Sequence, residues 1–491
     1  VRYVELSFWA AAAGVWAWIA FVLVRYARAD RETRRSMRQA WLIRRRWRRL
    51  SRMLGLVVVD PTPTLLGSLL GRRTAQFFTV AGPALATIPT DGRGQPAPPR
   101  ILAPRLRVRA DAYGVTITAR TLPKVGRDEW VKAAGHLANA WGCVRVAVTQ
   151  AEPGRLVIRA VRRDPLTERY DVVPSGLPPV SLDRWQIGRD EYAGPVHVRL
   201  SNVPGICIAG LPGCGKTSLV NGFLAAFAPS PAVQVAVVDG KGGADYEDLA
   251  GRFFAMAGDD VRAAHEVFRR VHELRRRRSE CIRTVLGVKN MWHVGPSERW
   301  PLVILVVDEA HTYLSEVKGD RELVALTLEN RRLVEDIVKK GRSVGILALL
   351  ATQKSTGDAI PTAIRDVCPV ALSFAQRTDE AAVAALGADI RRYPEANPVA
   401  LQDPAYVGVA SMVVQGRPGF VRVRTAYVSD QDVARICTAT AGLARDPLDL
   451  LSELVRPAAV PSGSGDGSPA WGEDRNAGVT VASDQDAEDA A

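Results

Sequence analysis

Residues Gly210, Leu211, Pro212, Gly213, Cys214, Gly215, Lys216 and Thr217 fit the pattern G-x-x-x-x-G-K-[ST], and Ser218 follows. Glycines in such a loop let successive backbone N–H groups converge on one point. The positive end of the helix expected from Thr217 onward adds to them, so the loop is suited to phosphate oxygens. Lys216 is placed to reach the β and γ phosphates, and Thr217 to help hold Mg²⁺. A second element, "LVILVVDEAH", sets Asp308 and Glu309 at the end of an apolar run. There Asp308 can bind Mg²⁺ through water and Glu309 can polarise an attacking water, which suits a hydrolase better than a small-molecule kinase. Gln353 closes the next apolar run, "ILALLATQ", as a neutral polar group within reach of a γ-phosphate or the water. The tetrapeptide "DEAH" also occurs in helicases, but the Ser-Ala-Thr strand end and the arginine-rich Q-R-x-G-R-x-G-R segment of those enzymes are missing.

These groups need a scaffold that brings distant loops to one place. "GICIAG", "VQVAVVDG", "LVILVVDE" and "ILALLATQ" are short, β-branched and almost wholly apolar, and stretches with helical spacing separate them. That alternation predicts a parallel sheet covered on both faces. The main domain is therefore placed at 181–445. Before it, "RLRVRAD", "VTITART", "VRVAVTQ" and "RLVIRAV" alternate like half-buried strands around the helical "RDEWVKAAGHLANAW", which predicts a small α+β domain at 104–180. Residues 446–491, largely Gly, Ser, Asp and Glu toward the end, read as a disordered acidic tail.

Charge is uneven along the chain. The net charge is +13, yet residues 25–52 alone hold twelve arginines against Asp30 and Glu32. The basic total thus describes one segment more than the whole protein. Leu6 to Val24 carries no charge, and nineteen helical residues come close to the ~30 Å hydrocarbon core of a bilayer. Residues 1–25 are read as a transmembrane anchor, with a peripheral helix as the alternative. Arginines after the apolar run place the rest of the chain in the cytoplasm, so the expected location is the cytoplasmic membrane. Residues 26–103 read as a basic juxtamembrane segment and linker, with Arg44 to Arg49 near anionic headgroups and Trp41 and Trp47 at the interface. The six cysteines include no C-x-x-C pair, which argues against a zinc site or a disulfide framework.

The order "IGRDEYAGPVHVRL", "GICIAGLPGCGKTSLV", "VVDGKGG", "LVILVVDEAH", "GRSVGILALLATQKS" and "AIPTAIRD" resembles the FtsK/SpoIIIE family of DNA-pumping ATPases, in particular actinomycete Tra conjugative transfer proteins. The resemblance implies a RecA-like P-loop NTPase of the α/β class, with a parallel sheet, a preceding small α+β domain and an N-terminal transmembrane helix. It implies ATP and Mg²⁺ as cofactors, double-stranded DNA as partner and a homo-hexameric ring. By position, Gly210 to Ser218 would bind ATP, Asp308 and Glu309 would bind Mg²⁺ and activate water, and Gln353 would be the sensor. An arginine from the neighbouring subunit completes such sites, and Arg342 is the first candidate, Arg377 the second. Lys241, Lys354 and Arg365 are candidate contacts to DNA phosphates, with Arg275 to Arg278 as a further set unless they form a solvated helix face. Where the family has Asp-Pro-Lys after the second strand, Gly240 here replaces the Pro. The family's C-terminal winged helix has no counterpart before the acidic tail, so sequence-specific loading is expected to need a separate partner. A single anchor and a short linker favour conjugative transfer of a plasmid or integrative element. Chromosome partitioning and the ATPase motor of a protein secretion system stay open as alternatives.

Overall fold

The computed structural model describes residues 2–60, 100–242, 245–315, 320–353, 359–413 and 419–455. Helix α1 (Arg2–Arg28) runs unbroken through the apolar stretch and turns at Asp30 into α2 (Arg31–Met53). Asp30 caps α2 by accepting from the N–H groups of Glu32 and Thr33, both at 3.0 Å. Several α1 side chains lie outside the described set, and among the described residues no helix is long and apolar enough to cross a membrane.

Helix α2 is not a free juxtamembrane segment. It joins a domain made of β1 (Val58–Asp60), β2 (Arg100–Leu102), β3 (Leu106–Ala110), β4 (Gly114–Arg120), α3 (Arg127–Trp141), β5 (Arg145–Glu152) and β6 (Arg155–Val161). Strands β3-β4-β6-β5 form an antiparallel sheet, while β1 and β2 pair with each other. Ala40, Ile43 and Trp47 of α2 are buried in one core with Trp130, Leu137 and Ile158. The Trp47 ring stacks on Trp130 at 5.3 Å between centroids, and its Nε1 donates to Pro104 O at 2.7 Å. This corrects the placement of Trp47 at a membrane interface: the helix buries its indole because Trp47 lies on the same stripe as Ala40 and Ile43. Trp41, one residue after Ala40, points outward and is 55% exposed. The linker reading for 26–103 is corrected in the same way for α2. Residues 61–99 lie outside the described residues.

The main sheet begins earlier than expected, because β7 (Tyr170–Asp171) already pairs with its last long strand. There follow β8 (Arg184–Asp190), β9 (Pro195–Arg199), β10 (Gly205–Ala209), α4 (Lys216–Phe227), β11 (Val233–Asp239), β12 (Phe253–Ala257) and α5 (Val261–Leu286). Next come β13 (Leu302–Asp308), α6 (His311–Leu314), α7 (Arg321–Gly341), β14 (Ile346–Thr352), α8 (Thr362–Arg365), β15 (Val370–Ser373) and α9 (Asp379–Leu386). The last described elements are β16 (Val409–Val413), β17 (Phe420–Tyr427), α10 (Asp430–Ala439) and α11 (Pro447–Val455). The order is β12-β11-β13-β14-β10-β15-β16-β17-β8-β9, parallel from β12 to β15 and antiparallel beyond.

Every residue of β10, β11, β13 and β14 is buried, as strands covered on both faces require. One face packs Ile206, Val235 and Ile304 against Phe223 and Leu224 of α4 and Val433 and Ile436 of α10. The other packs Val303, Leu305 and Ala348 against Phe268 and Val271 of α5 and Val334 and Ile337 of α7. Helix α11 lays Leu451 into that second core, so residues 447–455 are ordered structure rather than tail. Residues 456–491 lie outside the described residues. Arg145 joins the two domains by donating to Glu191 O at 3.0 Å, and Glu191 Oε2 in turn accepts from Arg422 Nε of β17 at 2.9 Å.

Candidate nucleotide site

Register decides which residues meet. Asp239 pairs with Asp308 across β11 and β13, and Ala209 with Thr352 across β10 and β14. Parallel strands in step end together, so the loops after all four open at one edge, where open α/β sheets bind ligands. The loop Gly210–Gly215, the Asp308–Glu309 pair and Gln353 therefore come together although 143 positions separate its ends in sequence.

The loop is fastened on both sides. Leu211 N–H donates to Ala375 O at 3.0 Å, and Gly408 N–H to Cys214 O at 3.0 Å. Gly215, with φ +107, caps α4, and a Cβ there would lie 3.1 Å from Gly408 Cα, so both conformation and space demand glycine. Lys216 is buried at 4% exposure, its Nζ 2.8 Å from the carbonyls of Gly210 and Leu211. Burial lowers its pKa, while the carboxylates of Glu309 and Asp308 oppose that shift.

Asp308 is fully buried. Its Oδ2 accepts from Lys241 Nζ at 3.0 Å and from Tyr246 Oη at 3.2 Å. Lys241 Nζ also lies 3.2 Å from Thr217 Oγ1 and 3.3 Å from Asp245 Oδ2. Burial works against that ammonium, but Asp308 and Asp245 outweigh it and raise its pKa. Lys241 is thus part of the phosphate pocket. This corrects its reading as a DNA contact: β11 ends in register with β13 and delivers the residue beside Asp308. Gly240 makes the approach possible. Its N–H donates to Asp308 O at 3.0 Å, a bond a proline would lack, and a Cβ would come within 2.8 Å of Thr312 Oγ1.

Glu309 adopts φ +56, a strained left-handed conformation for this residue, and is 4% exposed. Its Oε2 accepts from Gln353 N–H at 3.2 Å and lies 3.1 Å from His311 Nδ1. Its Oε1 is buried with no hydrogen-bond partner among the described residues. A carboxylate held at one oxygen and free at the other is what a general base for a bound water needs.

A cavity of about 380 Å³ is lined by Lys216, Lys241 and Gln353 and extends past Thr217 and Ser218 to Arg169, Val407, Gly408 and Tyr427. The Arg169 guanidinium stands 4.8 Å from the centre of the Tyr427 ring. Buried Arg424 on β17 holds this wall together through the carbonyls of Val407, Leu166 and Ala405. The sequence reading missed Arg169, Arg424 and Tyr427. No motif marks them: Arg424 and Tyr427 come beside α4 on β17, and Arg169 comes there next to β7, which pairs parallel with β17.

The remaining candidates scatter. Arg342 is exposed at the opposite edge of the sheet, before β14. Arg377 is exposed on the loop after β15, on the edge of the phosphate loop. Arg365 donates to Ala384 O at 2.5 Å, so its guanidinium caps α9 instead of reaching outward. Lys354 lies outside the described residues. Of Arg275 to Arg278, the last is buried, with Nη1 3.0 Å from Val344 O and its guanidinium 4.9 Å from the Trp300 ring centre. The other three pair with Asp336, Glu273 and Glu280.

No family model matches the chain. Among curated relatives, a DNA translocase FtsK of Staphylococcus aureus is 24% identical over 264 residues, covering 50% of this chain and 31% of the relative. DNA translocase FtsK 2 of Ralstonia nicotianae is 24% identical over 348 residues, covering 62% and 41%. The chain thus spans about a third of the length of the first of these relatives. Among solved structures, the pCW3 conjugation coupling protein TcpA, in monomer form with ATPgS, aligns at TM-score 0.48 and 17% identity, over 69% of this chain and 94% of that one. The cytoplasmic domain of the Thermomonospora curvata type VII secretion ATPase EccC aligns at 0.45 and 22%, over 60% and 36%. The FtsK-type resemblance read from the motifs is therefore found again by comparison of the sequence with the curated relatives.

Proposed function

We propose that this chain is an ATP-driven translocase of double-stranded DNA that serves conjugative transfer, works as a homo-hexameric ring and is anchored to the cytoplasmic membrane through α1. The observation that carries the ATPase part is the meeting of Lys216, Thr217, Asp308, Glu309 and Gln353 at one sheet edge. The similarity to DNA translocases named FtsK supports the choice of DNA as substrate.

In this reading the loop N–H groups and Lys216 hold the phosphates. Glu309 Oε1 accepts a proton from the water that attacks the γ-phosphorus, and the bond to the bridging oxygen of ADP breaks. The Thr217 hydroxyl and the Asp308 carboxylate fit Mg²⁺, because Lys241 already places a positive charge within 3.2 Å of the one and 3.0 Å of the other. When bound, the ion would neutralise charge on the transferring phosphoryl group. Among the described residues no three His, Cys, Asp or Glu side chains form a metal cluster, which fits an ion held largely by phosphate and water. Arg342 acts in trans: a head-to-tail ring contact brings a different surface of the neighbour to each site, and Arg342 lies on the edge away from its own pocket.

The test is ATP hydrolysis by the full chain in detergent, with and without plasmid DNA, across a salt series. Stimulation by duplex DNA that fades with salt is the expected result, since phosphate contacts release counterions. Turnover indifferent to DNA would overturn the DNA reading and favour a protein-secretion motor. Lys216→Ala is expected to abolish turnover in a folded protein, and normal turnover would refute the site.

A further inference from the structure

Helix α2 turns one stripe of its surface toward the end of α3, and a groove of about 640 Å³ lies between them. Arg38, Arg46 and Arg49 line it from α2, and Arg162 closes it from the end of the small sheet. Their positions follow helical spacing, so the cations stand in one row. Among the described residues no carboxylate lies within ion-pair distance of Arg38, Arg46 or Arg49. Glu32 is already shared by Arg162 and Arg35, each at 2.8 Å. Arg162 Nε is buried without a hydrogen-bond partner. The row therefore holds several positive charges that no carboxylate among the described residues compensates.

Between the arginines the wall is apolar. Leu42 and Met53 line the groove and are 40% and 73% exposed. Burying such side chains against water-free matter is favourable by roughly 25 cal/mol per Å². Nucleic acid would satisfy the arginines but leave that apolar wall wet. A phospholipid satisfies both, with its phosphate on the guanidinium groups and its glycerol and acyl carbons on Leu42 and Met53. The position agrees with this occupant. Arg34 donates to Tyr26 O at 3.0 Å and to Ala27 O at 2.6 Å, and Arg38 Nε to Tyr26 Oη at 2.9 Å, so the elbow between α1 and α2 is tied. Outward-facing Trp41, with the Arg45 guanidinium 5.1 Å from its ring centre, lies on the same helix.

We propose that the groove between α2 and α3 is a binding site for an anionic phospholipid. The site is remote from the nucleotide pocket and rests on the proposed membrane association of α1, not on the ATPase reading. It holds the small domain in a set orientation beneath the bilayer.

The experiment uses the full chain in a nonionic detergent and native mass spectrometry with short-chain lipids. Dioctanoyl-phosphatidylglycerol is expected to bind as one tight equivalent and dioctanoyl-phosphatidylcholine at least roughly tenfold more weakly. Arg46→Gln with Arg49→Gln is expected to weaken the anionic lipid by a similar factor, and Leu42→Ser to weaken it while leaving inorganic phosphate unaffected. ATP hydrolysis and thermal midpoint of the variants should match the parent protein. Equal binding of the two lipids, or binding indifferent to the arginine pair, overturns the proposal. So does inorganic phosphate that binds as tightly as the lipid, which marks a free-anion site. A short duplex DNA that binds in place of the lipid and is lost in the arginine variant also overturns it. Failure of the chain to insert into nanodiscs, with lipid selectivity retained, would count against the anchor and not against the groove.

Discussion

Glu309 and Lys241 divide the work that the loop residues leave undone. Glu309 is held at Oε2 by the Gln353 backbone and keeps Oε1 free, so a change that preserves shape but removes basicity isolates its role. Glu309→Gln is expected to lower ATP turnover by about 10²–10⁴-fold with little loss of nucleotide binding, measured with a fluorescent ATP analogue. Comparable loss of binding would show that the residue shapes the pocket instead. At the far end of the cavity, Tyr427 with Arg169 over its ring forms a wall suited to a flat base. Tyr427→Ala is expected to weaken ATP several-fold, by about 1 kcal/mol, while inorganic tripolyphosphate competes as before. Equal weakening of both ligands would place Tyr427 among the phosphate contacts.

Helix α2 shows how one element serves two surfaces. Its inner stripe belongs to the core of the small domain, and its outer stripe carries the unpaired arginines. Trp47→Ala removes a buried ring stacked on Trp130, so it is expected to cost about 3–5 kcal/mol. Denaturant unfolding should show this as an earlier first transition, because the small domain has its own core. Trp41→Ala on the outer side should leave that transition unchanged. If the two variants behave alike, α2 is not integral to the domain. Twelve arginines among residues 25–52 made this segment look like a solvated, membrane-facing stretch. Its apolar residues are few, and Ala40, Ile43 and Trp47 recur at helical spacing that the charge obscured.

For the whole molecule, the two domains meet through Arg145, Glu191 and Arg422, and Arg422 lies on the strand that carries Arg424 and Tyr427 to the nucleotide pocket. The proposed ring would add a second level of assembly. Arg342→Ala is expected to lower turnover at least about 10³-fold with nucleotide binding intact. Mixing it with Lys216→Ala subunits should restore part of the activity, since each mutant supplies what the other lacks. No recovery in mixed assemblies would show that Arg342 acts only within its own subunit.

The phosphate loop, the Asp308–Glu309 pair and the sheet that carries them were legible from sequence alone. Their signals are local: a glycine spacing, and apolar runs that only a doubly covered parallel strand accommodates. The outcome for Lys241 was not legible, because whether a residue after β11 faces solvent or Asp308 depends on strand register, which couples positions 67 apart. Arg169, Arg424 and Tyr427 were invisible for the same reason: Arg424 and Tyr427 reach the cavity on β17, which pairs antiparallel with β16 and β8, and Arg169 reaches it beside β7, which pairs parallel with β17. The sequence by itself determined which chemistry the chain carries and the class of fold that holds it. Tertiary structure alone decided which cations face the nucleotide, which seal a core and which remain unpaired on a surface, since a guanidinium or ammonium group takes its role from the groups packed around it.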